Sequence, residues 1–249
     1  MRLRCGILNS LYMSLIITIC THEGIVMASD SCGTRYFKDN IGGFTKHSNS
    51  INKLFLINNT GVSVCGTGCL NGGNIVAKIN KYIEDYKDCD LSIEQIIDDL
   101  NDMANEIDEC KVFFHVCGYQ SFRKYIHVFE NSKEYQQLID VGNYQGVKCC
   151  GVTNTISKLI QETAHKEADG TYRDFPLNPP LYSNFTLQDA IDFAHFLIYA
   201  TIQMNRFTKN DDNVSYPIDI LVLKPNEAIW VKRKELCYPP EIPGVILNI

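Results

Sequence analysis

Four places in the chain put chemically useful groups at the ends of short apolar runs. Asp30 closes Gly24-Ile-Val-Met-Ala-Ser-Asp and stands just before the polar stretch Ser31-Cys-Gly-Thr-Arg. Lys53 opens Lys-Leu-Phe-Leu-Ile. Gly66 ends Val-Ser-Val-Cys and starts the turn Gly-Thr-Gly-Cys. Ser14 follows Met13, ahead of the run Leu-Ile-Ile-Thr-Ile-Cys-Thr. A carboxylate, an ammonium, a hydroxyl and glycine backbone N–H groups can move protons and hold developing charge. Each alone also has an ordinary reading. An Asp before a Ser is most often a turn or a cap. A lone lysine at a strand start is usually solvated. The Gly66–Gly68 turn reads as a tight connection into a helix, and it lacks the GxxxxGK[ST] and GxGxxG patterns of phosphate cradles. Ser14 alone carries no signal.

These groups need elements to hold them. Residues 15–21 are rich in β-branched side chains and read as a strand. His22-Glu23-Gly24 is a turn, and Ile25 to Ser29 returns as the second strand of a hairpin. Residues 36–50 are polar and contain glycine, and read as a loop. Lys53–Ile57 and Gly61–Cys65 form a strand pair around Asn58-Asn59-Thr60. A helix follows the glycine turn, with Ile75, Ile79, Tyr82, Ile83 and Tyr86 on one face. A second helix starts at Ser92, where Gln95 completes a capping box. Its apolar positions Ile93, Ile96, Ile97, Leu100, Met103, Ala104 and Ile107 keep a 3.6-residue period. Strands are expected at 111–118, 124–130, 135–141 and 147–150, a helix at 153–165, and a long loop over 169–185. Thr186-x-x-Asp189 caps the next helix, and a terminal hairpin spans 217–223 and 228–232. Strands alternating with pairs of helices suggest sheets covered by helix layers, not strict βαβ alternation.

Composition narrows the function. The 249 residues carry 29 Asp plus Glu against 23 Lys plus Arg, a net charge of −6. That balance argues against nonspecific nucleic-acid binding, which needs clustered basic residues. Lys232-Arg233-Lys234 is the one basic run. The 11 cysteines include no CxxC pair and no zinc-type quartet, so they read as buried thiols of a reducing cytoplasm. His22, His47, His115, His127, His165 and His195 form no metal spacing, so no metal is expected. The basic start Met1-Arg-Leu-Arg precedes an apolar stretch broken by Asn9, Ser10 and Ser14, with no small-x-small cleavage site. Secretion is therefore disfavoured, and no run of 18 apolar residues predicts a membrane span.

Taken together, the four features resemble the proteasome β-subunit family of N-terminal nucleophile hydrolases. Gly-Ile-Val-Met-Ala-Ser-Asp-Ser-x-x-Thr-Arg is similar to that family's first hairpin, Lys53-Leu-Phe-Leu-Ile to its lysine-bearing strand, and Cys65-Gly66-Thr-Gly to its glycine turn. The later order matches in layout, including Cys149-Cys150-Gly151 before a helix, and the resemblance spans roughly residues 14–233. It implies an α+β fold, a four-layer αββα sandwich, built by a single domain over 14–249. It also implies that Ser14 is the nucleophile and Asp30, Lys53 and Gly66 its partners. Residues 1–13 are then a leader or a misassigned start. Translation from Met13 and removal of that Met would leave Ser14 with a free α-amine, whose ordinary pKa of about 7.7–8.0 leaves a usable neutral fraction as general base.

By the same matching, Lys53 lowers the amine's pKa, Asp30 holds Lys53, and the Gly66 N–H faces the oxyanion. Gly33 and Thr34 offer backbone to an extended substrate, Val64 lines a side-chain pocket, and Cys150 and Gly151 stand where supporting residues belong. The chain departs from the pattern in its Ser nucleophile, in Met13 where a processed propeptide carries Gly, and in an insertion between Thr34 and Lys53. Residues 203–212 show no counterpart of the family's late Asp and Ser. The implied substrate is a polypeptide, no cofactor is required, and copies of the chain form a secluding homo-oligomeric ring, with any ATPase partner unknown. An inactive proteasome-like subunit or binding module and a small-molecule amidase are the two alternatives on the same fold. Cys32, Cys65 and Cys150 fall on the expected site loops, as thiols open to reagents.

Overall fold

A computed structural model of the chain describes residues 14–38, 43–66, 74–106, 111–131, 139–140, 144–161, 164–174, 179–208 and 213–235, with backbone alone for 34–38, 43–47 and 139–140. The expected leader (1–13), the rest of the glycine turn (67–73), Ile107, residues 135–138 of an expected strand and residues 209–212 lie outside the described residues.

Two five-stranded antiparallel sheets form the middle of the molecule. The first joins β1 (Leu15–Cys20), β2 (Ile25–Ser29), β10 (Gly146–Gly151), β13 (Asp219–Lys224) and β14 (Glu227–Lys232) in the order β10-β1-β2-β13-β14. The second runs β5-β6-β7-β8-β9, from β5 (Leu54–Ile57), β6 (Thr60–Gly66), β7 (Val112–Gln120), β8 (Arg123–Glu130) and β9 (Ile139–Asp140). Helices α1 (Ile75–Asp85) and α2 (Ile93–Asn105) cover the second sheet, and α3 (Asn154–Ile160) and α4 (Leu187–Asn205) cover the first. Both expected capping boxes form, at Ser92 with Gln95 and at Thr186 with Asp189.

Strand alternation sorts the apolar side chains into three cores, as four stacked layers require. Val62, Val64, Phe114 and Val116 meet Ile79, Ile96 and Leu100 of α1 and α2. Leu15, Ile17, Val26, Ala28, Ile220 and Val222 meet Ala194, Leu197 and Ile198 of α4. The opposite faces of the same strands pack sheet on sheet through Cys20, Ile25, Met27, Cys117, Leu221 and Leu223. The architecture is the αββα sandwich.

Three expectations need correction. Residues 36–50 are not a loop: β3 (Gly33–Lys38) and β4 (Gly43–Ser48) form a two-stranded ribbon of their own. The expected helix over 153–165 stops at Ile160, where Gln161 turns to extended backbone (φ −108°, ψ 153°), and 164–166 is β11, a short strand paired with β12 (Tyr172–Asp174). That pair also breaks up the expected loop over 169–185.

Candidate active site

The site forms where β1 begins, β2 ends and β6 ends. Antiparallel pairing of β1 with β2 puts Ile16 opposite Ser29, so Ser14 and Asp30 emerge at the same end of the sheet. Asp30 is fully buried. Its Oδ1 accepts the Leu15 N–H (2.9 Å) and the Lys53 ammonium (2.7 Å). Its Oδ2 accepts the Cys32 N–H (2.8 Å) and the Ser215 N–H (3.2 Å). A buried carboxylate requires such partners, because an unpaired charge in a dry site is costly. The two donors on Oδ1 set the geometry: sharing one oxygen brings the Lys53 ammonium beside the Ser14–Leu15 peptide. Lys53 is 3% exposed, so its charge acts with little solvent screening.

Ser14 is itself buried, and its carbonyl accepts the Val152 N–H at 2.8 Å. Gly151 makes this approach possible. It adopts φ +101°, and a Cβ there would lie 1.9 Å from the Ser14 carbonyl oxygen. Gly66 is held similarly at φ +125°, where a Cβ would lie 2.1 Å from the Lys111 carbonyl oxygen. Its N–H direction follows from register. The Val64 N–H donates to the Lys53 carbonyl (2.9 Å), so two residues on the Gly66 N–H leaves the same edge of β6. Ile51 would face Gly66 if the ladder continued, but it donates instead to the Ser31 carbonyl (3.2 Å). The Gly66 N–H thus points from the strand edge on the Lys53 side.

The structure brings Ser14, Asp30, Lys53, Gly66, Cys150 and Gly151 to one end of the intersheet layer. Cys150 sits opposite Ile16 in β10 and within electrostatic reach of Cys65. Gly33 begins β3, and Ile51 packs so closely that a Cβ at Gly33 would meet its Cγ1 at 2.3 Å. Thr34 pairs with His47 along the ribbon, and β3 has β4 as its one partner among the described residues, which leaves its other edge for an added strand. Val64 faces away from this end, into the core under α1 and α2. The thiols differ from expectation: Cys32 and Cys65 are buried, and Cys150 is half-buried. Burial pushes the Cys65 thiol well above its ordinary range, so it stays protonated and unreactive.

No motif in the sequence marks Ser215. It reaches the site because β13 pairs antiparallel with β2, placing Asp219 opposite Ser29. The residues just before β13 must then cross the Asp30 end. The Ser215 carbonyl accepts the Ser31 N–H (3.1 Å), and its hydroxyl donates to Asn49 Oδ1 (2.9 Å). The available signal was pairing order, not a motif.

Among the described residues no group of His, Cys, Asp and Glu is arranged to hold a metal ion. No described helix is long and apolar enough to cross a membrane. No protein-family model matches the chain, and no curated protein does. Among solved structures it is similar to a Gly-1 mutant of Anbu from Hyphomicrobium sp. strain MC1, with a TM-score of 0.54 at 12% identity, covering 89% of this chain and 86% of that one. At that identity the likeness speaks for the fold alone, and it agrees with the three stacked cores: the chain has the αββα fold of the N-terminal nucleophile hydrolases.

Proposed function

We propose that this protein hydrolyses amide bonds of polypeptides with Ser14 as nucleophile, once residues 1–13 are absent and Ser14 carries a free α-amine. The observation that carries the reading is the shared oxygen of Asp30, which accepts both the Leu15 N–H and the Lys53 ammonium. This arrangement holds a cation against the residue whose amine must act as a base. A nearby positive charge disfavours protonation of that amine and favours an alkoxide on the same residue. The amine takes the hydroxyl proton directly or through one water, and Oγ attacks the substrate carbonyl. The Gly66 N–H lies on the edge where the oxyanion develops, and one such donor is typically worth about 2.7–4 kcal/mol of barrier. The amine then returns the proton to the leaving nitrogen, and a water repeats the sequence on the acyl ester. An extended substrate strand adds to the outer edge of β3, near Gly33 and Thr34. Copies of the chain assembled in a ring in the cytoplasm would seclude the site.

The test is hydrolysis of casein and of fluorogenic peptides by a chain made to begin at Ser14. Ser14→Ala lowers the rate by about 10³-fold or more, and Ser14→Thr keeps it, since Thr carries the same amine and hydroxyl. Hydrolysis unchanged in Ser14→Ala removes Ser14 from the reaction. Turnover of small amides with none of peptides moves the reading to an amidase.

A further inference from the structure

Beneath the site, the two sheets enclose polar atoms with no partner among the described residues. Ser29 Oγ, Ser63 Oγ and His115 Nε2 are all buried without a hydrogen bond, and their three residues are fully buried. They belong to one patch. Ser63 and His115 stand directly opposite in the β6–β7 ladder, in a hydrogen-bonded pair with Cα atoms about 5.5 Å apart. His115 Nδ1 is hydrogen-bonded at 2.9 Å to Thr18 Oγ1 of the other sheet, which fixes β1 over β7. Gly61 of β6 sits under Met27 of β2, where a Cβ would meet the Met27 sulfur at 2.4 Å. Both strands run toward the site from that contact, so Ser63 and Ser29, each two residues on, come level with one another. Burial holds the His115 imidazole neutral, its pKa lowered to about 3.

Neutral imidazole and two hydroxyls are donors and acceptors together, and burying them unpaired costs several kcal/mol in a layer otherwise suited to apolar contact. We propose that Ser29, Ser63 and His115 form an internal binding site for ordered water between the sheets. This site lies two residues, about 7 Å, below Cys65, and one residue below the Asp30–Lys53 pair, because Ser29 precedes Asp30 and Ser63 precedes Val64, whose N–H donates to the Lys53 carbonyl. Neutral His115 leaves one ring nitrogen for Thr18 and offers the other to the water. The serine hydroxyls supply the two or more further contacts that an enclosed water requires. The Lys53 end of the intersheet layer thereby rests on a polar floor. This inference is independent of whether Ser14 is a nucleophile.

Two measurements on the full chain test it. A high-resolution crystal structure shows a density peak within hydrogen-bond reach of His115 Nε2 and at least one of the two serine hydroxyls. Ser63→Ala and Ser29→Ala each remove a water contact and lower Tm by about 2–4 °C. A dry layer makes the opposite prediction, because deleting an unpaired buried hydroxyl relieves its desolvation. A map with no peak at His115 Nε2, or a Tm that stays or rises in both alanine variants, overturns the proposal.

Discussion

The helix–sheet layers and the sheet–sheet layer are built from the same strands yet have opposite chemistry. On the helix side, alternate residues of β1, β2, β6 and β7 are almost uniformly Val, Ile, Leu, Ala and Phe. On the sheet side, the intervening positions include Thr18, Ser29, Ser63, Cys65 and His115, and the strand ends carry Ser14 and Asp30. The outer layers can be filled for packing alone. The middle layer gives up apolar contact at one end and holds a charge pair and hydroxyls there. One set of strands therefore carries two requirements, separated by the two-residue period of the pleat.

The comparison can be broken at either face. The largest expected effect is in the middle layer. Asp30→Ala deletes the acceptor of four N–H donors and leaves the Lys53 charge buried and unpaired, which costs about 3–5 kcal/mol in urea unfolding and abolishes hydrolysis. Loss of hydrolysis with unchanged stability would mean that Asp30 does not organise this end of the fold. In the outer layer, Leu100→Ala leaves a cavity under α2 and costs about 2–5 kcal/mol, with the rate per folded molecule unaffected. A large rate loss in that variant would join the two layers functionally and end the separation.

The smallest effect, taken per pH unit, is a pH dependence. His115 binds its proton near pH 6.5 when unfolded and near 3 when folded. Between those values the unfolded chain carries the extra proton. His115's contribution to stability is therefore complete above about 6.5 and falls as pH drops, by up to about 1.4 kcal/mol per pH unit. Unfolding measured across that range in His115→Gln should have a shallower acid slope than the parent, and equal slopes would mean that His115 protonates freely in the folded state.

The outer layers were legible in the sequence because burial on one side writes a period. Ile93, Ile96, Ile97, Leu100 and Ala104 announce α2, and Ser92 with Gln95 announces its start. The β3–β4 ribbon was not legible. It pairs with neither five-stranded sheet among the described residues, and Gly42-Gly43 and scattered polar residues interrupt any alternation. The chemistry divides the same way. Asp30 and Lys53 stand out at strand ends, and the ion pair expected between them forms at 2.7 Å. Ser215 could not be seen, because what brings it to Asp30 is the pairing of β13 with β2 across some 190 residues of chain, a tertiary choice with no local residue pattern. Val64's place in the motif points to a pocket, but the pleat turns it toward the helices.

The central claim is that Ser14 presents a free amine and a hydroxyl beside Lys53. Intact-mass and N-terminal peptide analysis of the protein isolated from its own cells, before and after exposure to a peptide epoxyketone, tests it directly, because that warhead closes a ring on both groups together. The account predicts a chain beginning at Ser14 that gains one inhibitor mass on Ser14. A chain that retains Met1, or a Ser14 capped by acetylation, would contradict it.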